Sequence, residues 1–181
     1  MNARSTPTRY GALARGLHWT SAVLVISLAP LGLVMTRVDD GDNTTLYRIH
    51  VALGLLAALL TIIRVVWRVI EPSPTHPPMS SGRRVLYLAN HYALYGGLFL
   101  LAITGIAVLV SNGLSPFPAD VVASEVEDVA VGDAHFLLAL IYSGLFVMHI
   151  VGVLSYERTK GEVLSRMGLN VGRSSSVDGT V

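Results

Sequence analysis

Between Val131 and Tyr156 the chain reads VGDAHFLLALIYSGLFVMHIVGVLSY, and this stretch limits the fold more than any other. From Ala134 to Leu154 it is apolar and long enough to cross the hydrocarbon core of a bilayer as one helix. His135 and His149 are the two groups within it that ionise near neutral pH. They are 14 residues apart, so at 100° per residue their side chains leave the helix within about 40° of each other. Along the axis they are separated by about 21 Å, most of the hydrocarbon thickness. One helix therefore carries one imidazole near each membrane face, both aimed into the same bundle interior. Ionisable groups at such depth are costly and mark functional sites.

Three further apolar stretches accompany it: Leu17–Met35, 48–70 and 85–110. With 52% hydrophobic and 14% charged residues and a mean hydropathy of +0.58, the chain belongs to the polytopic membrane class. The expectation is an all-α bundle of four transmembrane helices, at about 9–36, 48–70, 85–110 and 131–156, within one membrane domain of residues 1–167. Residues 168–181 are expected to be a disordered tail. Pro30 is expected to kink the first helix, and 119–129, acidic and weakly amphipathic, to form a short interfacial helix. The sequence before Leu17 lacks the apolar run and small-residue cleavage site of a signal peptide, so the first helix is expected to direct insertion. There is no cysteine, which excludes thiolate-ligated iron–sulfur or haem centres and disulfides.

Charge distribution orients the bundle. All 13 Lys and Arg except Arg37 and Arg48 fall in the N-terminus, the connection between spans two and three, the adjoining helix ends and the tail. The two remaining connections and their helix entries hold every acid but Glu71, Glu157, Glu162 and Asp178. By the positive-inside rule both termini are cytoplasmic. Nothing in this pattern points to nucleic acid; lipid is the general partner.

Orientation assigns depth to the other histidines. His18 opens span one on the cytoplasmic side, level with His149. His50 opens span two on the opposite side, level with His135. The fourth span can thus share one histidine pair with span one and another with span two, the arrangement that axial ligation of haem iron requires. His91 lies at cytoplasmic depth too and competes with His18 for His149; spacing does not decide between them. Zinc fits less well, because it needs three or four converging ligands. Histidines hydrogen-bonded between helices are the structural alternative. Arg64 follows His50 at the same interval that separates His135 from His149, so it shares the face of His50 at the depth of the cytoplasmic pair. With Arg68 one turn on, it is placed either to neutralise haem propionates or to snorkel towards the membrane surface. Gly32 stands in that relation to His18, and Gly105 to His91, so both would leave side-chain-free walls at the level of the other pair. His76, in the proline-rich connection, is expected to be solvated.

Arg15-Gly-Leu-His18-Trp19, His50-x3-Gly54-x9-Arg64-x2-Trp67-Arg68, Asn90-His91-x3-Tyr95 with Thr104-Gly105, and His135-x13-His149, in that order, resemble the bacterial four-helix cytochrome b561 family over about Arg9 to Met167. The resemblance implies two b haems, one held by His18 and His149 on the cytoplasmic side and one by His50 and His135 on the periplasmic side. It also implies a superoxide oxidase, passing electrons from periplasmic superoxide to ubiquinone. His91, Tyr95 and Arg84 are then the candidate quinone contacts, and Arg37 and Arg48 the candidate residues steering superoxide. Two other functions compete with this one. A cytochrome b subunit of a hydrogenase- or dehydrogenase-type complex would co-purify with a large periplasmic partner. A non-redox transporter or structural bundle would lack a haem spectrum.

Overall fold

The computed structural model describes residues 4–37, 43–71, 74–75, 78–161 and 163–169. Its architecture is all-helical. Four long helices, α1 (Ala12–Met35), α2 (Thr44–Ile70), α3 (Ser81–Ser111) and α4 (Ala130–Lys160), are followed by a single turn, α5 (Val163–Arg166). All four long helices are apolar and long enough to cross a membrane. At most 11% of the residues in each apolar window are buried within the protein. The outward faces carry residues such as Val23, Leu59, Ile103 and Val147, each exposed by about half or more. An apolar exterior on this scale is stable only against lipid.

α3 and α4, at 31 residues each, are about 46 Å long, so their ends project well beyond the hydrocarbon core. Each helix ends where its local sequence withdraws support. Gly11, extended, precedes α1. Glu71, also extended, closes α2 just before Pro72, which disfavours helix in the residue ahead of it. α1 passes through Pro30 without a break. The segment 119–129 does not form the expected interfacial helix. It makes two isolated 3₁₀ turns, Pro118–Asp120 and Ala123–Glu125, separated by extended Val121 and Val122. The β-branched valines favour extended backbone here, and Val121 is completely buried, so it anchors the loop in place of a helical face.

Both ends of the bundle are tied. At the end holding the termini, Glu71 accepts hydrogen bonds from the Ser5 backbone N–H (2.6 Å) and the Trp67 indole (2.6 Å). Trp19 donates to the carbonyl of Met167 (3.0 Å), and Tyr156 to that of Pro78 (2.9 Å). At the other end, Arg48 Nε donates to the carbonyl of Val121 (2.9 Å), and the Ala123 N–H to Thr44 (3.1 Å), which seats the long connection on the start of α2. His76, the aspartates 39, 40 and 42, and the tail from residue 170 lie outside the described residues.

Packing within the bundle is uneven. α1 packs along α2, α2 along α3 and α3 along α4, whereas α4 packs closely along neither α1 nor α2. A small core of Val25, Leu98 and Tyr142 lies at mid-depth, with Leu94, Leu101 and Phe146 around it. Buried Asn90 donates to the carbonyl of Leu145 (3.1 Å), a polar link between α3 and α4. Tyr142 is equidistant in sequence from His135 and His149, so the core holds α4 midway between them.

Candidate functional site

Across the opening that α4 leaves with α1 and α2, imidazoles face each other at two levels. His18 and His149 have ring centroids 6.3 Å apart, and so do His50 and His135. Two imidazoles bound to opposite sides of one metal atom, through bonds of about 2 Å, place their centroids about 6 Å apart once about 1 Å from nitrogen to centroid is added for each ring. Both pairs fit that requirement. His91 also approaches His149, but at 5.0 Å, too close for a metal atom between opposed nitrogens.

The surroundings of the two pairs differ. At the loop end, a Cβ placed on Gly32 would lie 3.3 Å from His50 Cε1, and one on Gly105 would lie 3.2 Å from His135 Cε1. The two glycines thus remove side chains where the imidazole edges reach the neighbouring helix, and any larger residue would press on a ring. His50 Nδ1 is buried without a hydrogen-bond partner among the described residues. An orphaned polar atom of this kind costs about 1–3 kcal/mol, a cost tolerated where the ring has a second task. His135 Nδ1 lies 2.9 Å from the hydroxyl of Thr104.

At the terminal end the pair is surrounded by polar groups. Arg64 Nη2 is 3.1 Å from His18 Nδ1 and 3.4 Å from the hydroxyl of Tyr95, with its guanidinium carbon 5.2 Å from the Tyr95 ring centre. The interval from His50 therefore places Arg64 at the level of the opposite pair. A guanidinium only donates hydrogen bonds, so in this arrangement His18 Nδ1 accepts and the ring proton resides on Nε2. Nε2 can offer a lone pair to a metal once Arg64 releases Nδ1. His91 donates from Nδ1 to the carbonyl of Tyr87, one turn back (2.7 Å). Arg68 is exposed at the end of α2, within electrostatic reach of Tyr87.

The structure thus gathers His18, His149, Arg64, Tyr95 and His91 at one level and His50 and His135 at the other. Of the candidate quinone contacts, His91 and Tyr95 border the first cluster, whereas Arg84 is exposed near the start of α3. Of the candidate steering residues, Arg37 is exposed, and Arg48 has Nε committed to the carbonyl of Val121. Thr104 received no role from the sequence, although it directly precedes Gly105 and so shares the depth of His135.

This donor set suits haem: two opposed imidazole pairs in an apolar bundle, glycine-lined at one level and flanked by an arginine at the other. No cluster of three or more His, Cys, Asp or Glu that would hold another metal occurs among the described residues. The family model for prokaryotic cytochrome b561 matches residues 9–169. The chain is similar to cytochrome b561 homolog 2 of Escherichia coli (strain K12), with 34% identity across 97% of this chain and 98% of the relative.

Proposed function

This chain belongs to the prokaryotic cytochrome b561 family of membrane haem proteins that transfer electrons, and from that premise we propose that it holds two b haems and oxidises superoxide while reducing ubiquinone. One observation carries the proposal: a single helix, α4, supplies one histidine to each of two opposed pairs with the same 6.3 Å separation. His18 and His149 are the proposed ligands at the terminal end, His50 and His135 those at the loop end. The haems, when bound, supply the one-electron chemistry; the protein supplies position, potential and access.

The proposed orientation puts both termini in the cytoplasm and the acidic loop end outside, in the bacterial inner membrane. His50 and His135 then hold the site nearest an external donor, and superoxide gives up one electron there to become dioxygen. Two such events supply the two electrons that, with two protons taken up on the cytoplasmic side, convert ubiquinone to ubiquinol. His91 and Tyr95 lie beside the terminal-end pair, where an imidazole and a phenol can bond the quinone oxygens and pass protons from the cytoplasmic side. Arg64, on leaving His18 Nδ1, can set its charge against a propionate, and Arg68 at the helix end is proposed for the same role.

A second reading, a cytochrome b subunit of a larger complex, is favoured by the acidic loop end, which does not attract a small anion, and by the bond that ties Arg48 Nε to the loop rather than leaving it for an incoming anion. The test begins with a pyridine haemochrome assay on purified protein, for which two haems per chain are expected. Anaerobically reduced protein is then mixed with ubiquinone, and oxidised protein with superoxide. One haem or none per chain refutes the ligand assignment. Two haems with rapid reoxidation by quinone but no reduction by superoxide moves the function to the complex-subunit reading.

A further inference from the structure

The four paired histidines are not equally constrained, and Thr104 accounts for the difference. Its hydroxyl is 2.9 Å from His135 Nδ1, 2.8 Å from the carbonyl of Leu100, one turn back in α3, and 3.2 Å from that of Leu101, a carbonyl that also accepts from His135. A hydroxyl has one proton to donate. A carbonyl oxygen only accepts, so the short contact with Leu100 requires that proton. The contact with His135 must then be an Nδ1–H donating to the hydroxyl oxygen. This places the His135 proton on Nδ1 and the lone pair on Nε2, the nitrogen left to bind a metal. The same ring has its Cε1 against Gly105, the residue next to Thr104. One turn of α3 therefore sets both the tautomer and the tilt of the imidazole. Neither His50 nor His149 has a hydrogen bond of this kind among the described residues, and the bond to His18 runs the opposite way, from Arg64.

We propose that Thr104 is a positioning residue for His135: it holds the imidazole in the ligating tautomer and accepts from Nδ1, which raises the electron-donating power of Nε2. The proposal rests on the reading of His135 as a haem ligand. Groups that accept from the far nitrogen of a metal-bound histidine typically contribute about 10–100-fold to affinity. Removing the hydroxyl should weaken retention at this site by that factor. It should also raise the site's reduction potential, because a less basic imidazole favours the oxidised iron less.

The experiment compares T104V, T104S and H135A in the intact protein, reading haem stoichiometry, rate of haem transfer to excess apomyoglobin, low-spin electron paramagnetic resonance and potentiometric titration. H135A identifies which signals belong to the loop-end site. T104V should speed haem loss from that site roughly 10–100-fold and shift its potential upward. The other haem should be unchanged and T104S should behave like wild type. Wild-type retention and potential in T104V overturn the proposal. So does equal loss in T104V and T104S, which would assign the effect to packing of the methyl group. If H135A keeps both haems and both signals, the ligand reading itself fails, whatever T104V does.

Discussion

Gly97 on α3 and Tyr142 on α4 meet more closely than any side chain would allow. A Cβ at position 97 would lie 2.7 Å from Tyr142 Cδ2 and 3.3 Å from Cε2, whereas one at position 96 would meet nothing within 4 Å. Carbon atoms prefer separations of about 3.5–4.0 Å, so Gly97→Ala requires α3 and α4 to part by about 1 Å or the Tyr142 ring to move. The ring is 7% exposed and packs with Val25 and Leu98, so it has little room. Gly96→Ala and Gly97→Ala both gain helix propensity, about 1 kcal/mol, and that gain cancels when the two are compared. The remaining difference is the overpacking cost, about 1–3 kcal/mol. Unfolding of each variant in mixed micelles, titrated with a denaturing detergent, measures it. G97A should fall below G96A by that amount, and Tyr142→Leu should restore most of the loss in the double mutant, since the partners are in direct contact. Because Tyr142 sits midway between His135 and His149, G97A should also lower haem retention at both levels. Equal stability of G96A and G97A would refute the argument, since it would mean that the bundle yields at the point where it is best packed.

Three further outcomes are expected. His18→Ala should lose the terminal-end haem while His91→Ala keeps both, as judged by haemochrome stoichiometry; the reverse pattern would transfer the ligand role to α3. Arg64→Gln should lower the potential of the terminal-end haem, because a positive charge stabilises the reduced form. For a unit charge about 8 Å from a redox centre in a medium of effective dielectric near 20 the interaction is about 2 kcal/mol, or about 90 mV for one electron, and the shift is read by potentiometric titration. Stopped-flow reduction by pulse-generated superoxide should slow with added salt and in Arg48→Glu if Arg48 dominates the local potential; reduction that accelerates with salt would show that the aspartates of the loop end prevail and that another donor serves the protein.

The helices were legible because a bilayer demands long apolar runs, and these four are unambiguous in length and composition. The shared level of each paired histidine followed from helical rise, and the recurring interval located Arg64, Gly32 and Gly105 against the opposite partners they meet. Adjacency was less accessible. Spacing states depth and face but not which neighbouring helix lies opposite, so Tyr142 read as one apolar residue among many. The role of Thr104 was equally hidden, although the residue stands in the motif beside Gly105: a helical threonine commonly bonds its own i−4 carbonyl, and that bond is present here, so only the position of His135 reveals the contact with the ring. The loop between α3 and α4 misled in the other direction, because its acidic amphipathic pattern suggested a helix where burial of Val121 holds it extended.

Since α4 supplies a histidine to both levels, its length between them is locked. Inserting or deleting one residue between His135 and His149 would turn one imidazole by about 100° relative to the other and slide it by about 1.5 Å. No adjustment at the helix ends could recover both pairs. A whole added turn would bring the face round again but carry one pair about 5 Å deeper or shallower, past its partner on α1 or α2. The loops can lengthen and shorten over evolutionary time, and individual apolar residues can exchange with one another. This segment can vary in letters but not in count, which makes it the fixed yardstick by which descendants of this chain can be aligned.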